Sequence, residues 1–322
     1  MWKPFRHRLE KWGCIQLSQF IPTLSHRSCT ALAQIAGFLF FWLDFKTRHI
    51  ALENLRVVFG HRLPPRQRTH IALLSFQNFA RTMLGLFWSA GISDAAIHQW
   101  VVPVGFDTAI AEAEKKQCGL VFACAHFGNW EFGPMATQIH GLPVLIVAET
   151  FKNPFLEEIF ARLRSRSFHR LIRQEQSFLK LLRGALRGQS SALLADLTVP
   201  PSQAAVRLRA FVRDGQPLEI CGTRLHAVVA MRSKALIVPA LAYPTPGGKS
   251  EIRAFAPLDP AHFESEEHIA QAVWDTIERA ILEAPHLWLW TYKHFRYKPA
   301  DARREYPDYA ISHPSFDAVA RA

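Results

Sequence analysis

Apolar positions in the first hundred residues recur at helical spacing rather than alternating as in strands. Between 71 and 90 they fall three and four residues apart, and Gly91 follows as a stop signal. The Leu-Pro-Pro at 63–65 interrupts the pattern and predicts a loop. Residues 1 to about 100 are therefore predicted to be helical.

From about residue 101 the pattern changes to short, continuously apolar runs separated by segments with helical spacing. The runs predict strands at 120–125, 143–148, 191–195 and 235–241. The other segments predict helices at 130–140, 154–167, 175–187, 223–234 and 266–283. Apolar strands separated by helices are typical of a parallel sheet that is covered on both faces. The prediction is an α/β fold with a mostly parallel central sheet flanked by helices.

Residues 28–43 form a stretch of sixteen uncharged, mostly apolar residues. Basic residues flank it on both sides: His26, Arg27, Lys46 and Arg48. A helix that spans a bilayer needs about 20 residues, so three interpretations stay open: a short or tilted span, a helix half-sunk in the membrane interface, and a buried core helix. The aromatic cluster at 38–42 is typical of a membrane interface.

These patterns predict three regions along the chain. Residues 1–45 are expected to form a helical, membrane-associated segment, and 46–300 the main domain. The remainder, 301–322, is polar and is predicted to be a loosely held tail.

Composition and charge indicate the kind of partner. Apolar residues make up 49% of the 322 residues, charged residues only 20%, and the net charge is +11. A strongly basic chain favours an anionic partner, such as nucleic acid, anionic lipid, a phosphorylated substrate or an acidic carrier protein. Because the sequence has no basic tail and no recognisable DNA-reading motif, lipid is favoured over nucleic acid.

The cysteines exclude two classes of small site. The chain has five, an odd number, and none are spaced as C-x-x-C. The pattern therefore predicts neither a disulfide framework nor a zinc site, and it is typical of a reducing compartment.

The first predicted strand runs into the sequence CAHFGNWEFG at 124–133. His126 is predicted to end the strand, Gly128 to supply a turn, and Glu131 to lie in the first turn of the next helix. Five positions on a helix turn through about 500°, so the two polar side chains meet only if the chain turns between them. Since ligands bind at the carboxyl ends of strands in open α/β sheets, both are expected to face one crevice.

A histidine oriented by a carboxylate can act as a general base towards a hydroxyl group. The sequence has no G-x-S-x-G motif, so the hydroxyl is expected to belong to the substrate. Backbone N–H groups around Gly128 and Asn129 are candidate donors to an oxyanion. The alternative is an ordinary loop, because this spacing also occurs by chance. A metal site is disfavoured, since the two residues lack a third ligand.

Other residues carry weaker signals. The segment 162–187 is rich in basic residues that could bind lipid phosphates or an acidic carrier, or form a solvated helix face. Asp196 could position a substrate or Arg164, or cap a helix. Trp288 and Trp290 are expected to pack in the core or at an interface. The basic residues are Arg162, Arg164, Arg166, Arg170, Arg173, Lys180, Arg183 and Arg187.

The block AHFGNWE resembles the H-x4-[DE] signature of the lysophospholipid acyltransferase superfamily. More closely, it resembles the HFGNWE block of the late lipid A biosynthesis acyltransferases. The likeness extends over roughly 45–300. The supporting positions are Asn54-Leu55, Val58-Phe59-Gly60, Asn153-Pro154 with Arg164, Ala195-Asp196, and Trp288 and Trp290 with Arg296.

The resemblance implies transfer of an acyl group from a thioester to a hydroxyl of a lipid A precursor. The expected donor is acyl carrier protein or coenzyme A carrying the fatty chain, with no further cofactor and no nucleic acid. The expected location is the cytoplasmic face of a bacterial inner membrane. His126 would be the base and Glu131 its carboxylate partner. The expected substrate-binding residues are Arg164, Asp196, Phe127, Gly128, Asn129 and Trp130, of which Phe127 and Trp130 would line an acyl-chain pocket.

The chain departs from the family pattern after Asp196. Leu197 stands where the family carries glutamine, and the segment up to Gly215 is altered. These departures leave the acceptor and the acyl chain open. The alternatives are the same chemistry on another lipid, such as an aminolipid or a glycolipid, and a non-catalytic membrane-binding homologue.

Overall fold

A computed structural model describes residues 2–148, 153–164, 169–174 and 177–321. The predicted helix positions 165–167 and 175–176, together with Arg166, lie outside the described residues.

Four helices form the N-terminal region, as the helical spacing predicts. They are α1 (Trp2–Phe20), α2 (His26–Leu43), α3 (Phe45–Phe59) and α4 (Pro65–Ser89). Ser25 and Asp44 cap α2 and α3 by accepting backbone N–H bonds from Ser28 and Thr47. Helices α2 and α4 pack closely because of Gly37, where a Cβ would lie 2.4 Å from Cα of Gln77.

A seven-stranded sheet forms the centre of the molecule, in the order β1-β9-β8-β2-β5-β3-β4. Neighbouring strands are parallel except for β8 and β9, which confirms the predicted mostly parallel sheet. The predicted strands are β2, β3, β5 and β8, and three further strands extend the sheet. The bounds are β1 (Val101–Val104), β2 (Leu120–Cys124), β3 (Val144–Ala148), β4 (Arg170–Arg173), β5 (Ser190–Leu194), β8 (Leu236–Pro244) and β9 (Ser250–Ala254).

Helices cover both faces of this sheet. Their bounds are α5 (Phe106–Lys116), α6 (Gly133–Ile139), α7 (Pro154–Arg164), α8 (Ser177–Ala185), α9 (Leu225–Ser233) and α10 (Glu266–Glu283). Because side chains alternate along a strand, β2 contributes to two separate cores. Leu120 and Phe122 pack with α5, α6 and α7, whereas Val121 and Ala123 join the core that contains α9 and α10.

A separate antiparallel hairpin, β6 (Ala205–Arg213) and β7 (Gln216–Thr223), follows β5 and Asp196 in the sequence. The sequence did not predict it. Two short parallel strands, β10 (Tyr297–Lys298) and β11 (Ile311–Ser312), lie in the C-terminal region.

The prediction of a loosely held tail at 301–322 is wrong. Phe316 is fully buried and packs with Ala205 and Cys221 of the hairpin. Arg207 of β6 is also buried, and it forms ion pairs with Glu219 and with Asp317 of the tail. The tail is held because it covers apolar and charged positions that the hairpin would otherwise expose.

One face of α2 is buried and the other is exposed and apolar. The buried positions are Cys29, Ala33, Gly37 and Phe41, and the exposed ones are Ile35, Phe38, Leu39, Trp42 and Leu43. Among the described residues, length and hydropathy do not qualify any single helix as a membrane span. The segments His26–Leu43 and Phe45–Arg62 qualify only when taken together, with a bend of 91° between them.

Candidate active site

His126 and Asp196 lie at the carboxyl ends of two neighbouring parallel strands. His126 follows β2 and Asp196 follows β5, and the pairing of these strands continues into the site, where Ala195 N–H donates to the Cys124 carbonyl at 2.8 Å. Both residues therefore emerge at one edge of the sheet, where open α/β folds bind their ligands.

Asp196 is the carboxylate that orients His126. Its Oδ1 lies 2.9 Å from His126 Nδ1, and its Oδ2 accepts the backbone N–H of His126 at 3.0 Å. Its side chain is wholly shielded from solvent, whereas that of His126 is 15% exposed. Since an ionised carboxylate can only accept, Nδ1 carries the proton and Nε2 presents a lone pair.

The expected pairing of His126 with Glu131 is wrong, because the carboxylate of Glu131 binds Arg164 instead. Glu131 lies in a short 3₁₀ helix, Trp130–Phe132, and not in the α-helix that follows. Its two oxygens accept from Arg164 Nη2 at 2.6 Å and from Nε at 3.0 Å. A two-point guanidinium–carboxylate contact of this kind is strong and fixes the orientation of both groups.

Gly128 has the turn conformation that the sequence predicts, but its amide N–H already donates a hydrogen bond within the protein. Its φ is +58°, and a Cβ would lie 1.8 Å from the carbonyl oxygen of Ala242. Its N–H donates to the Leu287 carbonyl at 2.9 Å. The expectation that this N–H stabilises an oxyanion is therefore wrong. Asn129 follows it and is not among the residues that line the cavity described below.

Phe127 lies on the opposite side of the chain from His126 and does not line the pocket expected of it. It is fully buried and packs against Tyr243. The chain bends at His126, where Phe127 N–H donates to the Ala125 carbonyl at 2.7 Å, and Phe127 then pairs with Trp288 on the side of the core.

His126 opens onto a largely apolar cavity of about 590 Å³. Trp130, Glu131 and Arg164 line it beside the imidazole. The cavity then follows one face of the sheet, where Ala192, Ala240 and Ala242 leave room between larger side chains. The residues of the strands on this face are Phe122, Cys124, Val144, Ile146, Ala148, Ala192, Leu194, Ala240, Ala242 and Ile252.

The charges around the site favour an ionised Asp196. Burial alone would raise the pKa of this carboxyl, but the charge and hydrogen bond of His126, the charge of His294 and the Trp288 N–H hold it below its usual range. Burial also lowers the pKa of His294 to about 4 and raises that of the Cys124 thiol to about 12. The described residues contain no cluster of metal-ligand side chains that could hold an ion.

Comparison with known proteins assigns the chain to a family. A sequence model described as "Bacterial lipid A biosynthesis acyltransferase" matches residues 5–297. The chain belongs to this family. The acyltransferase matches no curated protein sequence. A similar solved structure is the 1-acyl-sn-glycerophosphate (LPA) acyltransferase PlsC from Thermotoga maritima. It is 13% identical with a TM-score of 0.36, and the match covers 82% of this chain and 99% of that one.

The candidate site contains supporting residues that the sequence did not reveal. Asn78 and Thr82 of α4 donate to the Gly128 carbonyl at 3.3 and 2.9 Å. Trp288, expected to be packing only, donates its indole N–H to Asp196 at 2.8 Å. The helical spacing of α4 gave no sign that Asn78 and Thr82 hold the turn at Gly128. For Trp288 the only signal was its place, with Trp290 and Arg296, among the positions that resemble the family.

Proposed function

We propose that this acyltransferase moves a fatty acyl group from a thioester donor to a hydroxyl of a lipid A precursor. One observation supports this above others: an imidazole backed by a buried carboxylate opens onto an apolar cavity large enough for a hydrocarbon chain. His126 is the catalytic base, and Asp196 takes the role that the sequence gave to Glu131.

The reaction needs two proton transfers, one from the acceptor hydroxyl to His126 and one from His126 to the leaving thiolate. The acceptor hydroxyl donates a hydrogen bond to His126 Nε2 and loses its proton as its oxygen attacks the thioester carbonyl. Asp196 stabilises the imidazolium through Nδ1. When the carbon–sulfur bond breaks, the imidazolium returns the proton to the leaving thiolate. The products are an ester and a free thiol, and no acyl group is attached to the enzyme.

The cavity accommodates the acyl chain, with its carbonyl end near His126. The sheet face supplies methyl-sized side chains such as Ala192, Ala240 and Ala242, and the far part is bounded by the stacked rings of Phe106 and Phe122. Burial of the chain removes apolar surface from water, which provides binding energy away from the reacting atoms.

Arg164 binds an anionic part of the substrate at the cavity mouth, and Glu131 holds it there. Arg164 also borders a second cavity of about 500 Å³, to which Arg173 and the acidic Glu157 and Glu158 contribute. Lipid A precursors, coenzyme A and acyl carrier protein are all anionic, so cationic side chains beside the catalytic base suit both the acceptor and the donor.

The N-terminal helices attach the enzyme to a membrane interface, on the cytoplasmic side where thioester donors occur. Large apolar side chains are exposed on α2 and at the start of α3, and the guanidinium of Arg48 lies 4.8–5.4 Å from the ring centres of Phe41, Trp42 and Phe45. Exposed aromatic residues together with basic ones are typical of helices that lie in the headgroup region.

A different lipid acceptor, such as an aminolipid or a glycolipid, is the second candidate. Leu197, where the family carries glutamine, lines the cavity beside the site. An apolar side chain at this position changes what the site can hydrogen-bond, and therefore which substrate it prefers.

Mass spectrometry of lipids distinguishes the two candidates. We expect cells that lack the protein to lose one acyl chain from lipid A, and the wild-type gene to restore it. The variant His126→Ala should not restore it, since removal of a general base costs at least about 100-fold. His268→Ala, an exposed histidine on α10, is the matched control. Unchanged lipid A with loss of another acylated lipid would favour the second candidate.

A further inference from the structure

The Trp288 indole contacts the buried side of the carboxylate that orients His126. Its Nε1 lies 2.8 Å from Asp196 Oδ2, in a part of the structure without access to solvent. We infer that Trp288 is a positioning residue, which acts through Asp196 to fix the orientation and charge of the catalytic pair. This inference rests on the proposed function, because it assigns a role within the same reaction.

The Asp196 carboxylate receives three hydrogen bonds that together fix its plane. His126 supplies two of them, from its ring and from its backbone, and Trp288 supplies the third. The two donors to Oδ2 come from different parts of the chain. Without Trp288, Oδ2 would keep only the backbone contact, and a buried carboxylate would lose part of the compensation for its desolvation.

The rest of the structure holds the Trp288 ring in place for this contact. Residues 287–289 run antiparallel to 126–128, with Leu289 N–H donating to the His126 carbonyl at 3.0 Å. His294 stacks on the indole with ring centres 3.8 Å apart and an angle of 23° between planes. The segment 126–128, which follows β2 and carries His126, is thus hydrogen-bonded directly to the segment that carries Trp288.

The charge of Asp196 makes this contact relevant to rate. The titratable groups that face Asp196 are His126 and Cys124 from β2 and its loop, and His294 from the C-terminal block. A neutral N–H donor favours the ionised carboxylate and withdraws charge from it. Removing that donor makes the carboxylate more basic, so the His126–Asp196 pair keeps its proton up to a higher pH.

Trp290 provides a matched control. It is also fully buried, and its ring lies edge-to-face against Trp288 at 4.7 Å. Its indole N–H donates to the Pro285 carbonyl, at 2.6 Å, and not to Asp196. Loss of this N–H therefore disturbs the same aromatic cluster without changing the donors to the carboxylate.

The test compares Trp288→Phe with Trp290→Phe in the full-length enzyme, using a fatty acyl thioester and a lipid A precursor. For Trp288→Phe we expect kcat to fall about tenfold or more with little change in KM, and the acid limb of kcat/KM to move up by roughly one pH unit. Trp290→Phe should leave the pH profile in place. Replacing the Trp288 indole by benzothiophene keeps the ring size and should reproduce the loss.

A second comparison separates failure of this inference from failure of the proposed function. In an Asp196→Asn background, Trp288→Phe should cost little more, because both changes act on the same contact. A benzothiophene variant with unchanged kcat and unchanged pH profile, alongside an inactive His126→Ala, would overturn the inference alone. An active His126→Ala would overturn the proposed function itself.

Discussion

At the scale of single residues, the site contains two carboxylates with different partners. Asp196 is buried behind the imidazole of His126, whereas Glu131 is bound by the guanidinium of Arg164. Sequence proximity suggested the reverse, because Glu131 is five positions from His126 and Asp196 is 70 positions away. We therefore assign orientation of the base to Asp196, and positioning of the basic group at the cavity mouth to Glu131.

The sequence predicted the place of His126 at the end of a strand but not its carboxylate partner, for a physical reason. A polar residue that ends an apolar run is visible locally, so His126 could be placed at the end of a strand. Whether Asp196 lies beside it depends on β5 being the neighbour of β2, which is a property of strand order. The role of Trp288 was missed for the same reason, since its contact with Asp196 joins residues 92 positions apart in the sequence.

At the scale of elements, alternate side chains of neighbouring strands point to the same face of the sheet and line the cavity. Ala192 of β5 is in register with Phe122 of β2 and Ile146 of β3, on the cavity face and one pleat deeper than Cys124. The small side chain of Ala192 leaves space at this depth that a larger one would fill. If the cavity holds the acyl chain as proposed, single positions on the sheet set the length of chain that fits.

Ala192→Leu should shorten the acyl chain that the enzyme accepts. The added side chain would occupy the cavity below His126, and overpacking of this kind costs about 1–3 kcal/mol. We expect activity with the longest accepted thioester to fall about tenfold relative to the shortest, measured as the ratio of kcat/KM values. An equal loss with all chain lengths would show that the cavity does not hold the chain.

The elements differ in how well the sequence predicted them. Continuous apolar runs gave β2, β3, β5 and β8 nearly at their observed bounds, because such runs are typical of buried parallel strands. The hairpin of β6 and β7 was missed, although Val206, Leu208 and Ala210 alternate with Arg207 and Arg209 as expected for a half-buried strand. The buried Arg207 is compensated by Glu219 and Asp317, and such compensation cannot be seen from one strand alone.

At the scale of the whole molecule, one chain carries both an exposed apolar N-terminal surface and the cavity beside His126, and the proposed function assigns the surface to membrane attachment. Leu43 and Phe45, at the junction of α2 and α3, are 73% and 67% exposed. For residues 301–322, the average composition did not predict whether the segment packs against the rest of the molecule. They are polar on average, yet Phe316 docks into the core of the hairpin.

The double variant Leu43→Gln and Phe45→Gln should bind membranes less tightly. Burying each side chain in the interface contributes about 1.5–3 kcal/mol, so the vesicle partition constant should fall by about 100-fold or more. Sedimentation with vesicles containing anionic lipid measures this. Leu179→Gln with Leu186→Gln, exposed on and just after α8, is the control. Equal binding by both double variants would contradict a membrane role for the α2–α3 junction.

Steady-state transfer by Asp196→Asn and Glu131→Gln is the sharpest test of whether His126 is a base oriented by Asp196. An amide at 196 cannot stabilise the imidazolium, so we expect kcat to fall by about 100-fold or more with KM nearly unchanged. Glu131→Gln should act mainly on KM, through Arg164. A near-normal kcat for Asp196→Asn, with kcat lost instead in Glu131→Gln, would contradict the account and restore Glu131 as the partner of His126.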